Sequence, residues 1–261
     1  MGLRRLTPSL REKIWGATHL EPWFPNSDRK IGEVWFEGVD DLPLLIKFLF
    51  TSEKLSVQVH PNNDYARVHH DSRGKTEMWH ILAAEPGAKI AAGFRMEISA
   101  EKLKESALSG EIEDLLAWHD ARPGDTFFIP AGTVHAIGSG LVLCEIQQNS
   151  DVTYRLYDYG RPRELHLAQA AAVSARTSHA ALQKPEGEVL VRSEYFTTSK
   201  FAVDSPRQYQ PAPGAFEVLI VIHGNGSLAG QETKAGEAWY VPAGTPPFDM
   251  AGHMTLLRCV T

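Results

Sequence analysis

The chain has 261 residues, of which 43% are hydrophobic and 22% charged, a composition that is typical of a globular protein and excludes a disordered one. Its 32 acidic and 26 basic residues give a formal net charge of −6. This balance argues against a nucleic-acid-binding protein, because the surface that contacts nucleic acid is usually basic. The length allows one large β domain or two smaller ones, each with a sizeable core.

The N-terminus and the cysteines predict where the protein resides. The two arginines near the N-terminus are not followed by the apolar run of a secretory signal. The longest apolar stretch, residues 42–50, contains a proline and a lysine and is far shorter than the roughly 18 residues of a membrane span. Cys144 and Cys259 both lie in apolar segments. We therefore expect a cytoplasmic protein with reduced, buried cysteines and no membrane partner, although the sequence leaves a disulfide between the two open.

Short apolar segments bounded by Gly, Pro, Asn and Asp recur along the chain. They are rich in Val, Ile and Phe, which is typical of β-strands. The segments are residues 44–50, 55–60, 77–82, 126–131, 141–148, 216–222 and 238–243. Strands this frequent, with turn signals between them, predict a mainly β fold of the jelly-roll kind.

Three segments interrupt this pattern of strands. Residues 99–119 place apolar side chains every three or four positions, which predicts a helical excursion with Ser99 as N-cap and Gly110 dividing it into two short helices. The Ala-rich segment 165–176 predicts a second helical stretch that connects two halves of the protein. The polar segment 61–74 is interpreted as a mobile surface connection that could cover a site.

An internal repeat indicates two related halves. Residues 124–135 follow the pattern G-x5-P-x-G-x-x-H, and residues 236–247 follow G-x5-P-x-G-x-x-P. In both copies a glycine precedes a short strand, and Pro-x-Gly forms a tight turn. The shared pattern resembles the second motif of the cupin superfamily, whose final His is a metal ligand. Two cupin-like jelly-roll halves are therefore predicted, an N-terminal metal-binding domain over residues 1–180 and a C-terminal domain over residues 181–261.

Residues of metal-ligand type lie in three segments of the first half. Gln58 and His60 are two positions apart on a predicted strand, so their side chains share a face. Glu77 lies in the second segment, and His135 ends the complete repeat. Imidazole and carboxylate groups together suit zinc, manganese or iron.

The second half lacks this set of residues. Pro247 occupies the position that corresponds to the final His of the first copy, and proline has no side-chain ligand. Glu217, the counterpart of the Glu in the first half, has no His partner and is interpreted as a leftover or surface residue. This half is expected to bind no metal.

The order of the motifs in the first half resembles type I phosphomannose isomerase in its short bacterial form. The similarity is strong over roughly residues 8–165 and continues weakly to the C-terminus. The matching segments are residues 31–35, 43–47, 55–61, 74–79, 130–136 and 145–155.

The resemblance implies a zinc-dependent aldose-ketose isomerase. Such an enzyme interconverts mannose 6-phosphate and fructose 6-phosphate by moving a proton between C1 and C2 through an enediol or enediolate. The resemblance also implies one zinc ion per chain, and carried over position by position its ligands are Gln58, His60, Glu77 and His135.

Three further residues match the catalytic positions of the family: Lys75, Glu145 and Arg155. The guanidinium of Arg155 can bind an oxyanion or a phosphate through two hydrogen bonds. Lys75, Glu145 and a metal-bound water are alternative bases, and the sequence does not choose among them. Glu145 could instead orient a ligand.

Two other functions compete with this interpretation. A non-catalytic sugar- or metal-binding cupin with a regulatory role would keep the metal, but the presence of Lys75 and Arg155 argues against it. An iron-dependent cupin oxygenase usually uses two or three His and a carboxylate, and Gln58 fits that chemistry less well. The oligomeric state is not predicted.

Overall fold

The computed structural model of the protein describes residues 2–261. The regular structure is mainly β, with strands arranged in jelly-roll-like sheets and a few short helices, which confirms the predicted fold class. In chain order the strands are β1 (Arg4–Arg5), β2 (Thr7–Ala17), β3 (Ile31–Glu37), β4 (Leu44–Thr51), β5 (Val57–Val59), β6 (Glu77–Ala84), β7 (Lys89–Phe94), β8 (Leu116–Asp120), β9 (Thr126–Ile129), β10 (His135–Ile137), β11 (Leu141–Gln148), β12 (Tyr154–Tyr157), β13 (Val189–Arg192), β14 (Thr197–Val203), β15 (Arg207–Tyr209), β16 (Glu217–Leu228), β17 (Gln231–Lys234), β18 (Glu237–Val241) and β19 (Phe248–Val260). The helices are α1 (Asn63–His70), α2 (Ala100–Ser109), α3 (Ile112–Leu115) and α4 (Leu167–Val173).

The chain divides into two compact units. The terminal unit contains residues 2–12, 18–42 and 184–261, and the central unit contains residues 13–17 and 43–183. The sequence-based division at residue 180 differs from this one, because N-terminal segments belong with the C-terminal part of the chain. Part of the reason is a long-range pairing in the terminal unit, where Arg4 of β1 lies opposite Tyr240 of β18.

The terminal unit is built on one sheet with the strand order β1-β18-β16-β19-β14-β13. In addition β15 pairs with β19, and β17 pairs with β16. Its core consists of buried side chains such as Leu219, Trp239 and Leu256. The Pro-x-Gly turns of the repeat have the predicted backbone form, because Gly132 and Gly244 have φ values of 88° and 75°, which side-chain-bearing residues rarely adopt.

The central unit consists of two sheets with a core between them. Sheet I contributes β4, β11, β6 and β9 in that order, and sheet II has the order β12-β5-β10-β7-β8. Leu49, Leu143 and Phe127 of sheet I pack with Ile90 and Ile137 of sheet II in one buried cluster. This apolar layer fixes the two inner faces, from which the candidate site residues project.

The outer face of sheet II is covered by helices. Val59 packs in a second buried cluster with Leu103 of α2, Ile112 of α3 and Ala170 of α4. Because successive residues of a strand point to opposite faces, Gln58 projects to the inner side of the sheet. Val59, between Gln58 and His60, faces the apolar layer under the helices.

The helix predictions are confirmed in part. Ser99 caps α2 by accepting a hydrogen bond from the Lys102 backbone N–H, and Gly110 ends that helix. Residues 116–119, predicted as helical, form strand β8 instead, because they pair with β7. The segment 61–74 is not simply a loop, since α1 forms within it.

Two further expectations can be compared with the structure. Cys144 and Cys259 are both buried and free, as predicted. No helix within residues 2–261 is long and apolar enough to span a membrane.

Truncating the core of the central unit should destabilise it. Leu143 is fully buried between the sheets, so we expect Leu143→Ala to lower the free energy of unfolding by roughly 2–5 kcal/mol, measured by urea denaturation. Val68 is 75% exposed, and Val68→Ala should change it by no more than about 0.5 kcal/mol. Equal effects of the two substitutions would contradict the assigned core.

Candidate metal centre

The candidate centre lies between the two sheets of the central unit. Gln58 of β5 is directly opposite His135 of β10 in sheet II, and His60 follows β5. Glu77 is the first residue of β6 in sheet I. The ligand atoms of His60, Glu77 and His135 lie within 4.8 Å of one another, and no other such group of three or more His, Cys, Asp or Glu occurs among residues 2–261. The fold therefore brings together four residues that are up to 77 positions apart.

Backbone carbonyl groups set the tautomers of both imidazoles. The Nδ1 atom of His60 is 2.9 Å from the carbonyl oxygen of Val152, and that of His135 is 2.8 Å from the carbonyl oxygen of Thr133. A carbonyl accepts but cannot donate, so each Nδ1 carries the proton in the neutral ring. Each Nε2 consequently presents a lone pair to the interior of the site.

These lone pairs face a carboxylate oxygen. The Oε1 atom of Glu77 is 3.6 Å from His60 Nε2 and 3.4 Å from His135 Nε2. It is fully buried and has no hydrogen-bond partner. Three acceptor atoms that face one another with no proton between them are stabilised by a nearby cation, either an ammonium group or a metal ion. The site therefore fits a bound metal ion, and two imidazole nitrogens with a carboxylate oxygen are typical metal ligands.

Gln58 can complete this set of ligands. Its amide Nε2 lies 3.3 Å from His135 Nε2, and its Oε1 is 3.2 Å from the Ser56 hydroxyl. A hydroxyl can either donate or accept, so rotating the amide by 180° keeps the contact with Ser56 and turns the carbonyl oxygen toward the imidazoles. The side chain can then offer a fourth, neutral ligand.

Burial and a neighbouring cation determine the charges of the cluster. Burial and the Lys75 ammonium lower the pKa of His60 to about 4, and burial lowers the pKa of His135. Burial opposes ionisation of Glu77, but the Lys75 ammonium outweighs it and holds the pKa of Glu77 well below its usual range. At neutral pH the centre therefore consists of two neutral imidazoles and one carboxylate, as a metal ion requires.

Lys75 links the cluster to Glu145. The Lys75 ammonium forms a salt bridge with Glu77 Oε2 and lies 3.1 Å from His60 Nε2. It is 3.8 Å from Glu145 Oε1. All these side chains are buried. Two of the three predicted catalytic residues, Lys75 and Glu145, are therefore close to each other, and Lys75 contacts the candidate ligands.

Glu145 belongs to a row of three side chains across sheet I. In the strand register it lies opposite Lys47 of β4 and opposite Trp79 of β6. Its Oε1 is 3.1 Å from the Lys47 ammonium, and its Oε2 accepts a 2.9 Å hydrogen bond from the Trp79 indole. Sequence reasoning did not assign Lys47 or Trp79 to the site. A charged residue inside the apolar segment 44–50 was the signal that could have identified Lys47.

Arg155 lies beside the candidate ligands in sheet II. It is directly opposite Gln58 in the pairing of β12 with β5. Its side chain donates a 2.8 Å hydrogen bond to the carbonyl oxygen of Glu164, while its buried Nε atom has no partner. Arg161 and Arg163, which follow β12 in the chain, both bind the Asp158 carboxylate.

The terminal unit has a different arrangement at the related position. Glu217 was interpreted as a leftover or surface residue, and the surface interpretation is wrong, because its side chain is fully buried. Its Oε1 accepts a 2.9 Å hydrogen bond from Arg258 Nε and one of 2.6 Å from the Ala212 backbone N–H. Tyr209 donates to its other oxygen. Side chains and backbone of the same unit thus satisfy this carboxylate.

Comparison with known proteins gives two family matches. Residues 25–78 match the model described as "Phosphomannose isomerase type I, catalytic domain". Residues 186–261 match the model described as "Mannose-6-phosphate isomerase, cupin domain". The first match contains three of the four candidate ligands.

Similar proteins cover most of the chain. A mannose-6-phosphate isomerase from Streptococcus mutans is 39% identical, with 85% of each protein aligned. Mannose-6-phosphate isomerase ManA from Bacillus subtilis is 32% identical, over 94% of this chain and 95% of that protein. A crystal structure of mannose 6-phosphate isomerase from Bacillus subtilis superimposes with a TM-score of 0.87 at 30% identity, over 99% of both chains.

The metal-free protein should become more stable as the pH rises from about 4 to 6.5. The pKa of His60 is lowered from 6.5 to about 4 on folding. Between these values the unfolded chain binds a proton at His60 that the folded chain does not, so raising the pH favours the folded state. The measurement is urea unfolding at several pH values, for the wild type and for His60→Asn.

The unfolding free energies of the wild type and His60→Asn should differ in their pH dependence, and this difference is the contribution of His60. His223→Asn, at an exposed histidine, should retain the wild-type dependence. A His60→Asn protein whose unfolding free energy follows that of the wild type across this range would show that His60 is not neutral in the folded state.

Proposed function

The chain belongs to the type I mannose-6-phosphate isomerase family, and we propose that one zinc ion, bound by four side chains, serves its reaction. Family membership makes the chain a mannose-6-phosphate isomerase. The proposed ligands are Gln58, His60, Glu77 and His135. The observation that carries the proposal is the set of three buried acceptor atoms, two Nε2 and one Oε1, that face one another without a proton between them.

The donor set favours zinc among the divalent ions. Two imidazole nitrogens with carboxylate and amide oxygens suit a four-coordinate zinc site. With one carboxylate and three neutral ligands, the bound ion keeps a net positive charge. When bound, the ion supplies Lewis-acid polarisation of the substrate's carbonyl and hydroxyl oxygens.

The proposed reaction converts mannose 6-phosphate to fructose 6-phosphate through an enediol or enediolate. A base removes the proton from C2 while the oxygen on C1 gains a proton. The oxygen on C2 then loses its proton, and C1 gains one, which gives the ketose. The two steps need one group that donates a proton and one group that accepts a proton, both close to C1 and C2.

We assign this proton transfer to the buried pair of Lys75 and Glu145. The ammonium and the carboxylate are 3.8 Å apart, and the same ammonium contacts Glu77. One partner is acidic and the other basic, so the pair can donate a proton to one substrate atom and remove a proton from another. Lys47 and Trp79 hold the carboxylate in place from the neighbouring strands.

Arg155 is proposed to bind an anionic oxygen of the substrate. This proposal is supported by its position in the strand pairing directly opposite Gln58, a proposed ligand, and by its buried Nε–H, which has no partner in the protein. A permanently charged guanidinium can bind either the phosphate or the developing enediolate oxygen. A local positive field from Arg155, Lys75 and a metal ion would attract a sugar phosphate in spite of the net charge of −6.

The regulatory alternative is less well supported. The relatives that align over most of this chain are named as isomerases, and Lys75, Glu145 and Arg155 all lie around the same centre. A cytoplasmic location stays a prediction of the sequence.

Removing one ligand should abolish both metal binding and activity. Loss of a residue that only supports a metal ligand costs roughly 10–100-fold in affinity or activity. Because His135 is itself a proposed ligand, we expect His135→Ala to lower metal affinity and turnover by more than that. Zinc content by elemental analysis and turnover of mannose 6-phosphate in a coupled assay measure the two effects. A chelator should inactivate the wild type, and added zinc should restore it.

The matched control is His223→Ala at an exposed histidine, which should retain zinc and turnover. Wild-type protein that is stripped of metal and still turns over at its original rate would refute zinc dependence. Zinc-loaded wild type without turnover would instead support the non-catalytic alternative.

Removing the Arg155 guanidinium should slow the reaction and leave the metal bound. Loss of a donor to a charged oxygen costs about 10²–10³ in rate, so we expect a decrease of that size in kcat/KM for Arg155→Ala. Arg155→Lys should recover part of it, because the charge remains without the paired donors. Arg122→Ala, at an exposed arginine, is the control. Unchanged kcat and KM in Arg155→Ala would remove Arg155 from the mechanism.

A further inference from the structure

Trp79 occupies a special position in the central unit. It follows Glu77 by two residues on β6, so both side chains project from the same face of the strand. Its side chain is fully buried. The indole therefore lies beside the candidate metal centre on the inner face of sheet I. Close packing there holds the ring in one orientation.

The indole N–H binds one oxygen of Glu145. Trp79 Nε1 donates a 2.9 Å hydrogen bond to Oε2 of the carboxylate. The other oxygen, Oε1, faces Lys47 at 3.1 Å and Lys75 at 3.8 Å. The two oxygens of Glu145 thus have different partners, and the hydrogen bond from Trp79 determines which oxygen faces the lysines.

The same indole contacts a candidate metal ligand. The ring centres of Trp79 and His135 are 5.3 Å apart, and the ring planes meet at 71°. This edge-to-face packing limits rotation of the imidazole, while the Thr133 carbonyl binds its Nδ1. One rigid side chain thus contacts both a proposed zinc ligand and a proposed proton-transfer group.

An indole is well suited to this role for a chemical reason. Its N–H is a donor only and carries no charge, so it orients the carboxylate without accepting the transferred proton or adding to the charge of Lys47 and Lys75. Without that donor, the carboxylate would turn both oxygens toward the lysines. A small displacement of a reacting group is enough to slow a positioned reaction.

We propose that Trp79 is a positioning residue for the isomerisation, which orients the Glu145 carboxylate through its indole N–H and restrains His135 by packing. This inference rests on the proposed role of Glu145 in proton transfer. It implies that position 79 must carry an uncharged hydrogen-bond donor, which takes no part in the proton transfer itself.

The kinetic test removes the N–H and keeps the shape of the ring. Trp79 is replaced by 3-benzothienyl-alanine, in which sulfur takes the place of the indole N–H, and separately by Phe. We expect kcat to fall by about 10-fold in the isostere, with KM within about twofold and zinc content unchanged. The isostere keeps the test valid if Trp79→Phe leaves a cavity and fails to fold.

A measurement on the metal-free protein tests the contact independently of turnover. The chain has six tryptophans, and the indole proton of Trp79 is assigned in an NMR spectrum by its absence from Trp79→Phe. A hydrogen bond to a carboxylate should shift this resonance downfield. In Glu145→Gln it should move upfield, because the acceptor is neutral. A resonance that does not move would overturn the proposed contact.

The control is a second buried tryptophan with a hydrogen-bonded indole. Trp239 donates a 2.8 Å hydrogen bond to the Thr233 hydroxyl in the terminal unit. The same isostere at position 239 should lower the melting temperature without changing kcat. If both isosteres lower the melting temperature and neither lowers kcat, the role of Trp79 is purely structural and the inference is wrong.

Glu145→Gln separates failure of this inference from failure of the proposed function. If that variant keeps the wild-type kcat, Glu145 has no part in proton transfer, and the basis of the positioning role is lost with it. If Glu145→Gln is slow while the isostere at position 79 retains full kcat, the function of Glu145 stands and the positioning role of Trp79 is refuted.

Discussion

The central unit depends on one electrostatic constraint, the meeting of three buried acceptor atoms from two sheets. The Nε2 atoms of His60 and His135 and the Oε1 atom of Glu77 face one another, and backbone carbonyls of Val152 and Thr133 keep the imidazole protons on the opposite side. Such a cluster is costly without a cation. Its cost explains why an ammonium group lies against it and why a metal ion fits it.

The register of the strands determines which side chains surround these three atoms. Across sheet I, Lys47, Glu145 and Trp79 are direct neighbours, and across sheet II Arg155 lies directly opposite Gln58. A shift by one residue in either pairing would move every side chain of the shifted strand to the opposite face. The apolar core between the sheets therefore supports the chemistry as well as stability, because it fixes the register of both sheets.

The two copies of the repeat show that a shared backbone pattern does not imply shared chemistry. Gly132 and Gly244 form equivalent turns, yet only the first copy ends in a histidine. In the terminal unit Glu217 is buried like Glu77, but Arg258 provides a guanidinium as its partner. A buried carboxylate with its own donors in the protein has no need of a metal ion.

Local patterns in the sequence were sufficient for seven of the strands and for the helix that begins after Ser99, because alternation, capping and turn chemistry depend on near neighbours. The resemblance of ordered motifs gave the family and, position by position, the candidate residues. Residues 116–119 and the helix within 61–74 escaped prediction, since pairing with β7 overrode a helical period in the first and Asn62 capped a short polar helix in the second. The partners of Glu145 depended on the tertiary structure, because contacts between residues 66 positions apart arise from strand pairing, which no local pattern encodes.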